Sequence, residues 1–399
     1  MSAIRLLIPT FEFPPYDGGV GTFCVEIARS LVARGYAVTV LAPDYGRPVH
    51  AGDQDYPFAV ERFSASSYSV RVLPTLVREL LRRRTRFDQW LIADWPFIIA
   101  AGLAAKVARL PAFRIFLHGT DALILRQGKV PRLLGTSSIL GRADAVIANS
   151  DYTLSIARQN HPSLARTQTI TALLGVDAYW FAPAGDTDAV KTRLGIPLDK
   201  TLLLSVSRVD PRKGHRLMIE AIARLPDDLR QSLVYVIAGR AGDPAYAGDL
   251  KTAADRSGAQ IIFTGGLSRD DIRALYACGD LFLLVGEDRT DKIEGFGLVY
   301  LEAGAQSLPS IASAVGGVPE VVLDGETGML VSHREPEETT RAIVRLLGDA
   351  SLCHRYAAAA RTRASTLTWQ RCADITMGLA IDQATDGPID GSTPLVSRA

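Results

Sequence analysis

Short apolar runs alternate with amphipathic stretches along this chain, the alternation breaks once, and then it begins again. No other feature restricts the fold as much. Before the break, strands are predicted at residues 4–8, 37–41, 89–93, 114–117, 145–148 and 169–172. The stretches between them have helical spacing; in residues 21–34, Val25, Ile27, Ala28, Leu31 and Val32 are apolar. A strand that is apolar along its whole length has both faces buried, as in a parallel sheet covered by its own crossover helices. After the break, strands are predicted at residues 202–207, 233–238, 260–263, 281–285 and 310–312, with helices between them and a further one at residues 335–347. The break, residues 179–199, holds Pro183, Gly185, Gly195 and Pro197 and reads as a linker. A chain of 399 residues is also too long for one ordinary core. The predicted class is α/β, with two Rossmann-like doubly wound parallel sheets in domains at residues 1–180 and 181–365. Such folds bind ligands at the carboxyl ends of their strands, and two sheets can turn those ends toward each other across a cleft.

Composition narrows the setting. No apolar run reaches the length of a membrane span; one of the longest, residues 97–105, is too short. The chain begins directly with a strand-like run, so no signal peptide is predicted. Four cysteines, Cys24, Cys278, Cys353 and Cys372, are scattered without a CxxC pair. That pattern favours a reducing cytoplasm over a disulfide framework or a zinc site. The net charge of +1 conceals an asymmetry. Residues 1–183 carry 20 Lys+Arg against 14 Asp+Glu, and the remainder carries 24 against 29. The excess gathers at Arg78, Arg82, Arg83, Arg84 and Arg86. These read either as a solvated helix face or as a patch for anionic lipid head groups or an acidic acceptor. No aromatics interleave them, so nucleic acid is not expected as a partner.

The chemistry-bearing residues fall just after predicted strands. Glu294 and Glu302 are eight residues apart, with Gly295 and Gly297 marking a tight loop and residues 298–306 reading as a helix start. Glu294 then lies in the loop and Glu302 about a turn into the helix. Between them the amides of Phe296, Gly297 and Leu298 point out of a helix N-terminus, which is an anion site. A phosphate site flanked by two carboxylates suits a ligand with a diphosphate and sugar hydroxyls. Asp17, Gly18, Gly19, Val20, Gly21 and Thr22 follow the first strand and open a helix, a weak signal alone because it is not GxGxxG. His118 and Asp121 follow residues 114–117; they can serve ligand hydroxyls or simply cap and pack locally. Arg208 and Lys213 follow residues 202–207 as permanent charges suited to a diphosphate, or to a solvated loop. Gly239 with Arg240, and Gly266 with Leu267, form small-residue turns that can wall a flat ring. Residues 315–320 and 324–328 read as turns. Asp53 and Asp55 have the DxD form that holds a metal–diphosphate, yet they sit in a polar segment and read as surface loop; no metal site is expected. Residues 385–399 read as a frayed tail.

In combination these residues resemble the retaining glycosyltransferases of family 4, which have the GT-B architecture. The resemblance rests on Gly18 to Gly21, His118-Gly119-Thr120-Asp121, Asn149-Ser150, Gly175-Val176-Asp177, Ser207-Arg208 with Lys213-Gly214, and the Glu294-x7-Glu302 element enclosing Gly295-Phe296-Gly297-Leu298. It extends to about residue 380. It implies that Glu302 binds the nucleotide ribose and Glu294 the donor-sugar hydroxyls. Arg208 and Lys213 would neutralise the diphosphate, Gly19 would contact it through the backbone, and His118 would meet the sugar near its anomeric carbon. Asp177 would belong to the hinge side of the cleft. It also implies a crossover helix at residues 366–384, with its core at 369–379, returning to the first domain. Two departures stand out. Gly239-Arg240-Ala241-Gly242 replaces the frequent Gly-x-Gly-Pro, which leaves base recognition open. The insertion Gly286 to Lys292 is similar to the mannosyltransferase branch acting on phosphatidylinositol mannosides, which uses GDP-mannose. The implied activity moves a hexose-type sugar from a nucleotide-diphosphate sugar, GDP-mannose or a UDP-sugar, to a hydroxyl acceptor, without metal or other cofactor. The basic run near Arg82 to Arg86 points to a lipid-linked or anionic acceptor at a membrane face, in glycolipid or cell-surface polysaccharide synthesis, with the enzyme cytoplasmic and peripheral on the inner membrane face. Competing readings are a GT-B nucleotide-sugar epimerase and a non-catalytic nucleotide-sugar binder. An NAD(P)-dependent oxidoreductase is disfavoured by the missing GxGxxG fingerprint.

Overall fold

The computed structural model describes residues 3–16, 18–47, 51–127 and 136–380. Asp17 and the tail expected at 385–399 lie outside them. The chain divides into two compact units: one runs through Gly175 and resumes at Trp369, and the other is Val176–Thr368.

The first unit is built on seven parallel strands: β1 (Arg5–Pro9), β2 (Ala37–Pro43), β3 (Ala59–Phe63), β4 (Gln89–Ile92), β5 (Ala112–Leu117), β6 (Ala145–Ala148) and β7 (Gln168–Thr171). Their order is β3-β2-β1-β4-β5-β6-β7. Leu6, Leu7, Ile8, Trp90, Ile115 and Val146 are fully buried, as continuous apolar strands require. The order reverses between β1 and β4, so the loops after these two strands leave toward opposite faces and open a crevice between them. Strand β3 has no apolar run to announce it. It is an edge strand carrying Glu61 and Arg62 side by side.

Its Glu61 corrects the reading of the basic cluster. Arg78 and Arg82 on the helix Leu73–Arg83 do face outward, with side chains 65% and 67% exposed. Arg83 does not. It lies on the same helix face as Leu73, Leu76 and Leu80, at three- and four-residue spacing, and is buried between Glu61, at 2.7 Å, and Glu79. Arg86 also reaches Glu61, at 2.7 Å, while remaining largely exposed.

The helix Trp369–Met377 belongs to the first unit. It packs on the helix Gly19–Ala33, where Asp374, fully buried, accepts from the Arg34 guanidinium (Nε at 2.9 Å). Trp369 meets Phe23 edge-on at 6.3 Å, and Arg114 donates to the Thr376 carbonyl at 3.2 Å.

The second unit has six parallel strands: β8 (Thr201–Val206), β9 (Leu233–Ala238), β10 (Gln260–Gly265), β11 (Leu281–Leu284), β12 (Ser310–Ser313) and β13 (Gly328–Val331), in the order β10-β9-β8-β11-β12-β13. The reversal falls between β8 and β11. The loops after these strands are those that carry Arg208 to Lys213 and Glu294. Strand β13 is a short edge strand in a segment that reads as turns. Among the described residues, no helix is long and apolar enough to cross a membrane.

Candidate donor-binding site

Close backbone contacts assemble the crevice of the second unit. Gly214 has φ +71°, and a Cβ there would lie 1.8 Å from the Val285 carbonyl oxygen. Only glycine lets the loops after β8 and β11 touch at this point. Gly316, at φ +57°, plays the same part after β12, since its Cβ would lie 2.0 Å from the Glu294 carbonyl oxygen. The Glu294 amide donates to Asp288 Oδ1 at 2.8 Å, and its carbonyl accepts from Gly317 N–H at 3.0 Å.

The Glu294 side chain receives Lys213 Nζ at 2.6 Å and Arg212 Nη1 at 2.9 Å. Burial pushes this carboxyl up, but the charges of Lys213 and Arg212 and their hydrogen bonds outweigh it and hold the group below the ordinary carboxylate range. Arg212 is the residue the sequence reading missed. Arg208 is exposed, and it is Arg212, not Arg208, that joins Lys213 at this carboxylate. The helix Leu298–Ala305 begins directly after Glu294, with Gly297 in the left-handed region as its N-cap and no side chain capping it. Phe296, 2% exposed, anchors the loop, so its contribution to a ligand is confined to its backbone amide. The loop that carries Glu294 thus runs from the contacts with Arg212 and Lys213 to a helix N-terminus without a side-chain cap.

Glu302 lies within that helix and has a different environment. Burial raises its carboxyl to about 7, against the pull of Arg269 and a 3.4 Å hydrogen bond from the Tyr276 hydroxyl, with Asp177 adding to the rise. Asp177 caps the turn Ala178–Phe181 and lies 3.5 Å from Arg269, whose guanidinium stacks over Tyr179 and Trp180. The turns after β9 and β10 are joined as well: Gly239 N–H donates to the Gly265 carbonyl at 2.8 Å, and the Arg240 side chain lies against Gly266, with Leu267 half-buried beside it.

The first unit's crevice is lined by acids of another character. Asp94, directly after β4, is 3% exposed and accepts from Thr10 Oγ1 at 2.9 Å, from the Phe11 amide, and from the Phe97 amide at 3.3 Å. Burial raises it to about 6 despite those hydrogen bonds. Asp121, expected to serve a ligand hydroxyl, is engaged within its own turn. It is 5% exposed and its Oδ2 accepts from the His118 amide at 2.7 Å, so it braces the turn that carries His118. Burial and the nearby Asp94 raise it to about 7. His118 is held between Phe23 and Phe116, and burial lowers it to about 3, leaving a neutral imidazole. Its Nε2 is buried and has no hydrogen-bond partner among the described residues. Gly18 and Gly19 are exposed at the start of the helix Gly19–Ala33, and a Cβ at Gly19 would meet nothing within 4 Å. Asp53 of the DxD form lies in the short 3-10 helix Ala51–Asp55 rather than in a loop, half-buried and engaged by Arg62 at 2.5 Å.

Residues 17–178 match the sequence family described as Glycosyltransferase Family 4, and residues 186–363 match Glycosyl transferases group 1. The D-inositol 3-phosphate glycosyltransferase of Geodermatophilus obscurus is 30% identical, over 90% of this chain and 83% of its own length. The chain belongs to glycosyltransferase family 4. A second relative of this family, the GDP-mannose-dependent alpha-(1-6)-phosphatidylinositol monomannoside mannosyltransferase of Mycolicibacterium smegmatis, is 29% identical over 86% of the chain and 89% of its own length. Among solved structures, Anabaena HepE in complex with UDP and glucose superimposes with a TM-score of 0.75 at 22% identity, covering 94% of this chain and 98% of that one. The chain is thus a glycosyltransferase with the GT-B fold. Asp94 went unnoticed in its sequence although a signal exists: an acidic residue just after a strand and before Trp95-Pro96 has the form of a helix N-cap.

Proposed function

We propose that this glycosyltransferase transfers a hexose-type sugar, with retention, from a nucleotide-diphosphate sugar to a hydroxyl of a lipid-linked acceptor, and that the donor is GDP-mannose. The observation that carries the reading is Glu294 held by Arg212 and Lys213 beside the uncapped N-terminus of Leu298–Ala305. Breaking the sugar–phosphate bond leaves negative charge on the diphosphate. Lys213, Arg208 and the amides of Phe296 to Leu298 supply fixed positive potential for it, so the chemistry calls for no metal. The departing phosphate oxygen takes the acceptor proton, and the new bond forms on the face the leaving group vacates. Glu294 binds donor hydroxyls, and Glu302 binds the ribose. His118, whose Nε2 has no hydrogen-bond partner among the described residues, and the amides at Gly18 and Gly19 would make the contacts that the family resemblance implies.

GDP-mannose is favoured over a UDP-sugar because the mannosyltransferase relative is named as dependent on it. A ligand that binds only the folded state raises the apparent melting temperature. GDP-mannose should raise it more than UDP-glucose at equal concentration, and nucleoside diphosphate should be released on turnover. A larger shift with UDP-glucose would overturn the donor, and inverted anomeric configuration in the product would overturn retention.

A further inference from the structure

Glu294 has two cations where one would balance it, and the second is a residue with no role so far. Arg212 Nη1 and Lys213 Nζ both donate to Oε2, so Oε1 takes neither. Arg212 is also fixed through its backbone. Its amide donates to Asp210 Oδ1 at 3.0 Å, its carbonyl accepts from Glu287 N–H at 2.9 Å, and a Cβ on Gly286 would come within 2.8 Å of that carbonyl. Its side chain is 11% exposed, and its Nε is buried without a partner among the described residues. Arg212 is therefore wedged between the loops after β8 and β11 with its guanidinium committed to Glu294.

We propose that Arg212 is a positioning residue: it holds Glu294 by Oε2 with Oε1 left for the donor's hydroxyls, and so releases Lys213 to follow the diphosphate when the donor binds. This rests on the reading of Glu294 as the donor-sugar carboxylate. The physical reason is charge balance. A buried carboxylate with a single cation keeps that cation, because losing it would leave an uncompensated buried charge. With two, one can depart. The choice of which stays also fits: a planar, always-charged guanidinium holds a fixed geometry, whereas an ammonium on a four-carbon stem can move.

The groups facing Glu294 come from four segments. Arg212 and Lys213 come from the turn after β8, Asp288 from the loop after β11, and Tyr300 from the helix Leu298–Ala305, its hydroxyl directed to the Leu284 carbonyl at 2.7 Å. The amide of Gly317 comes from the turn after β12. Of these, Arg212 and Lys213 carry the positive charge. Removing Arg212 leaves burial opposed by one cation instead of two, so Glu294 titrates at higher pH.

The experiment uses the full chain with Arg212→Met and Arg212→Lys, each alone and combined with Glu294→Gln. Nucleoside diphosphate release from GDP-mannose and from UDP-glucose is followed against pH, with thermal midpoints as a folding control. Arg212→Met should lower kcat about tenfold, equivalent to the loss of one weak charge contact, with a smaller change in KM. It should also move the acid limb of kcat/KM upward, and Arg212→Lys should recover most of both. The Arg212→Met, Glu294→Gln double variant should lose no more than Glu294→Gln alone, because the two residues act as one unit. Losses that multiply in the double variant would overturn the proposal, as would a lowered midpoint with kcat and acid limb unchanged. Wild-type protein that releases no nucleoside diphosphate from either sugar would instead overturn the donor reading, and the proposal with it.

Discussion

The crevices of the two sheets are built on the same topology and opposite electrostatics. In the first unit, Asp94 and Asp121 accept from backbone amides and a hydroxyl, and burial leaves them at about 6 and about 7. In the second, Glu294 accepts from Lys213 and Arg212 and is held below the ordinary range. Both are carboxyls at the carboxyl ends of parallel strands. The difference is the donor: amide and hydroxyl dipoles favour the carboxylate but do not offset its burial, whereas the two fixed cations at Glu294 outweigh it. The first crevice therefore spends its acids on shaping loops, and the second holds fixed charge, which the proposed function assigns to the donor. Substitutions should separate the two, with turnover lost in the second unit and stability lost in the first.

The largest expected effect is Lys213→Ala. It removes one of the cations available to the leaving group and should reduce nucleoside diphosphate release by about 10²–10³-fold, as the loss of a preorganised electrostatic group commonly does. The fold should persist, because Arg212 still holds Glu294. Near-normal turnover would dissolve the contrast between the crevices. Next comes Asp94→Ala. It strands the Phe11 and Phe97 amides, while the Thr10 hydroxyl keeps the Glu12 carbonyl, and should cost about 2 kcal/mol in chemical denaturation, since each buried unsatisfied group carries a penalty of its own. Asp94→Asn keeps an acceptor and should cost less than half as much. An alanine variant of wild-type stability that has lost turnover would place Asp94 among the groups that meet substrate.

The pH dependence sharpens the comparison within the second unit itself. Glu302 is raised from its ordinary value to about 7, so between about 4.5 and 7 the folded chain binds more protons than the unfolded one. Stability from this group is complete below the ordinary carboxylate range and is lost as pH rises through 7. Glu294 has the opposite sign: its contribution is present above the ordinary range and is lost as acid protonates it. Glu302→Gln should remove the decline near neutrality, leaving the variant about 2 kcal/mol more stable than the parent at pH 8 and similar to it at pH 5. A denaturation series that shows no such crossing would mean that Arg269 and Tyr276 already keep Glu302 ionised.

The legible parts of this molecule are those in which one side chain type has one environment. Continuous apolar strands such as residues 233–238 are buried on both faces whatever surrounds them, so their sequence names them. Edge strands are not: β3, with Glu61 and Arg62, and β13, four residues after a tight turn, take their identity from a neighbour strand that is remote in sequence. The Glu294-x7-Glu302 spacing was readable because a glycine-marked loop and a helix start divide it locally. The contact of Arg212 with Glu294 was not, because it depends on how the turn Pro211–Lys213 aims its side chains at a loop 82 residues away. Arg83 escaped for a related reason, since a charge on an apolar helix face becomes a buried pair only when a strand brings Glu61 beneath it.

That last distinction gives the smallest and most selective prediction. Arg82 and Arg84 are exposed near the end of the helix Leu73–Arg83, whereas Arg83 is buried between two glutamates. Reversing both exposed charges, Arg82→Glu with Arg84→Glu, should cost about 1 kcal/mol in stability, chiefly because Arg82 lies 3.6 Å from the buried Glu79. If the outer face docks on anionic lipid, each arginine is worth about 1 kcal/mol there, so flotation with phosphatidylserine vesicles at low salt should fall by more than tenfold. The difference should fade as salt shortens the range of the attraction. Arg83→Ala should behave the other way, weakening the fold because the buried Glu79 is left with only the exposed Arg78 and Arg82 and Glu61 with only Arg86, while flotation of the folded fraction stays close to the parent. Equal binding of the parent to neutral and anionic vesicles would reduce the exposed arginines to a solvated face, and the lipid-linked acceptor we propose would then have to be recognised without help from the membrane's charge.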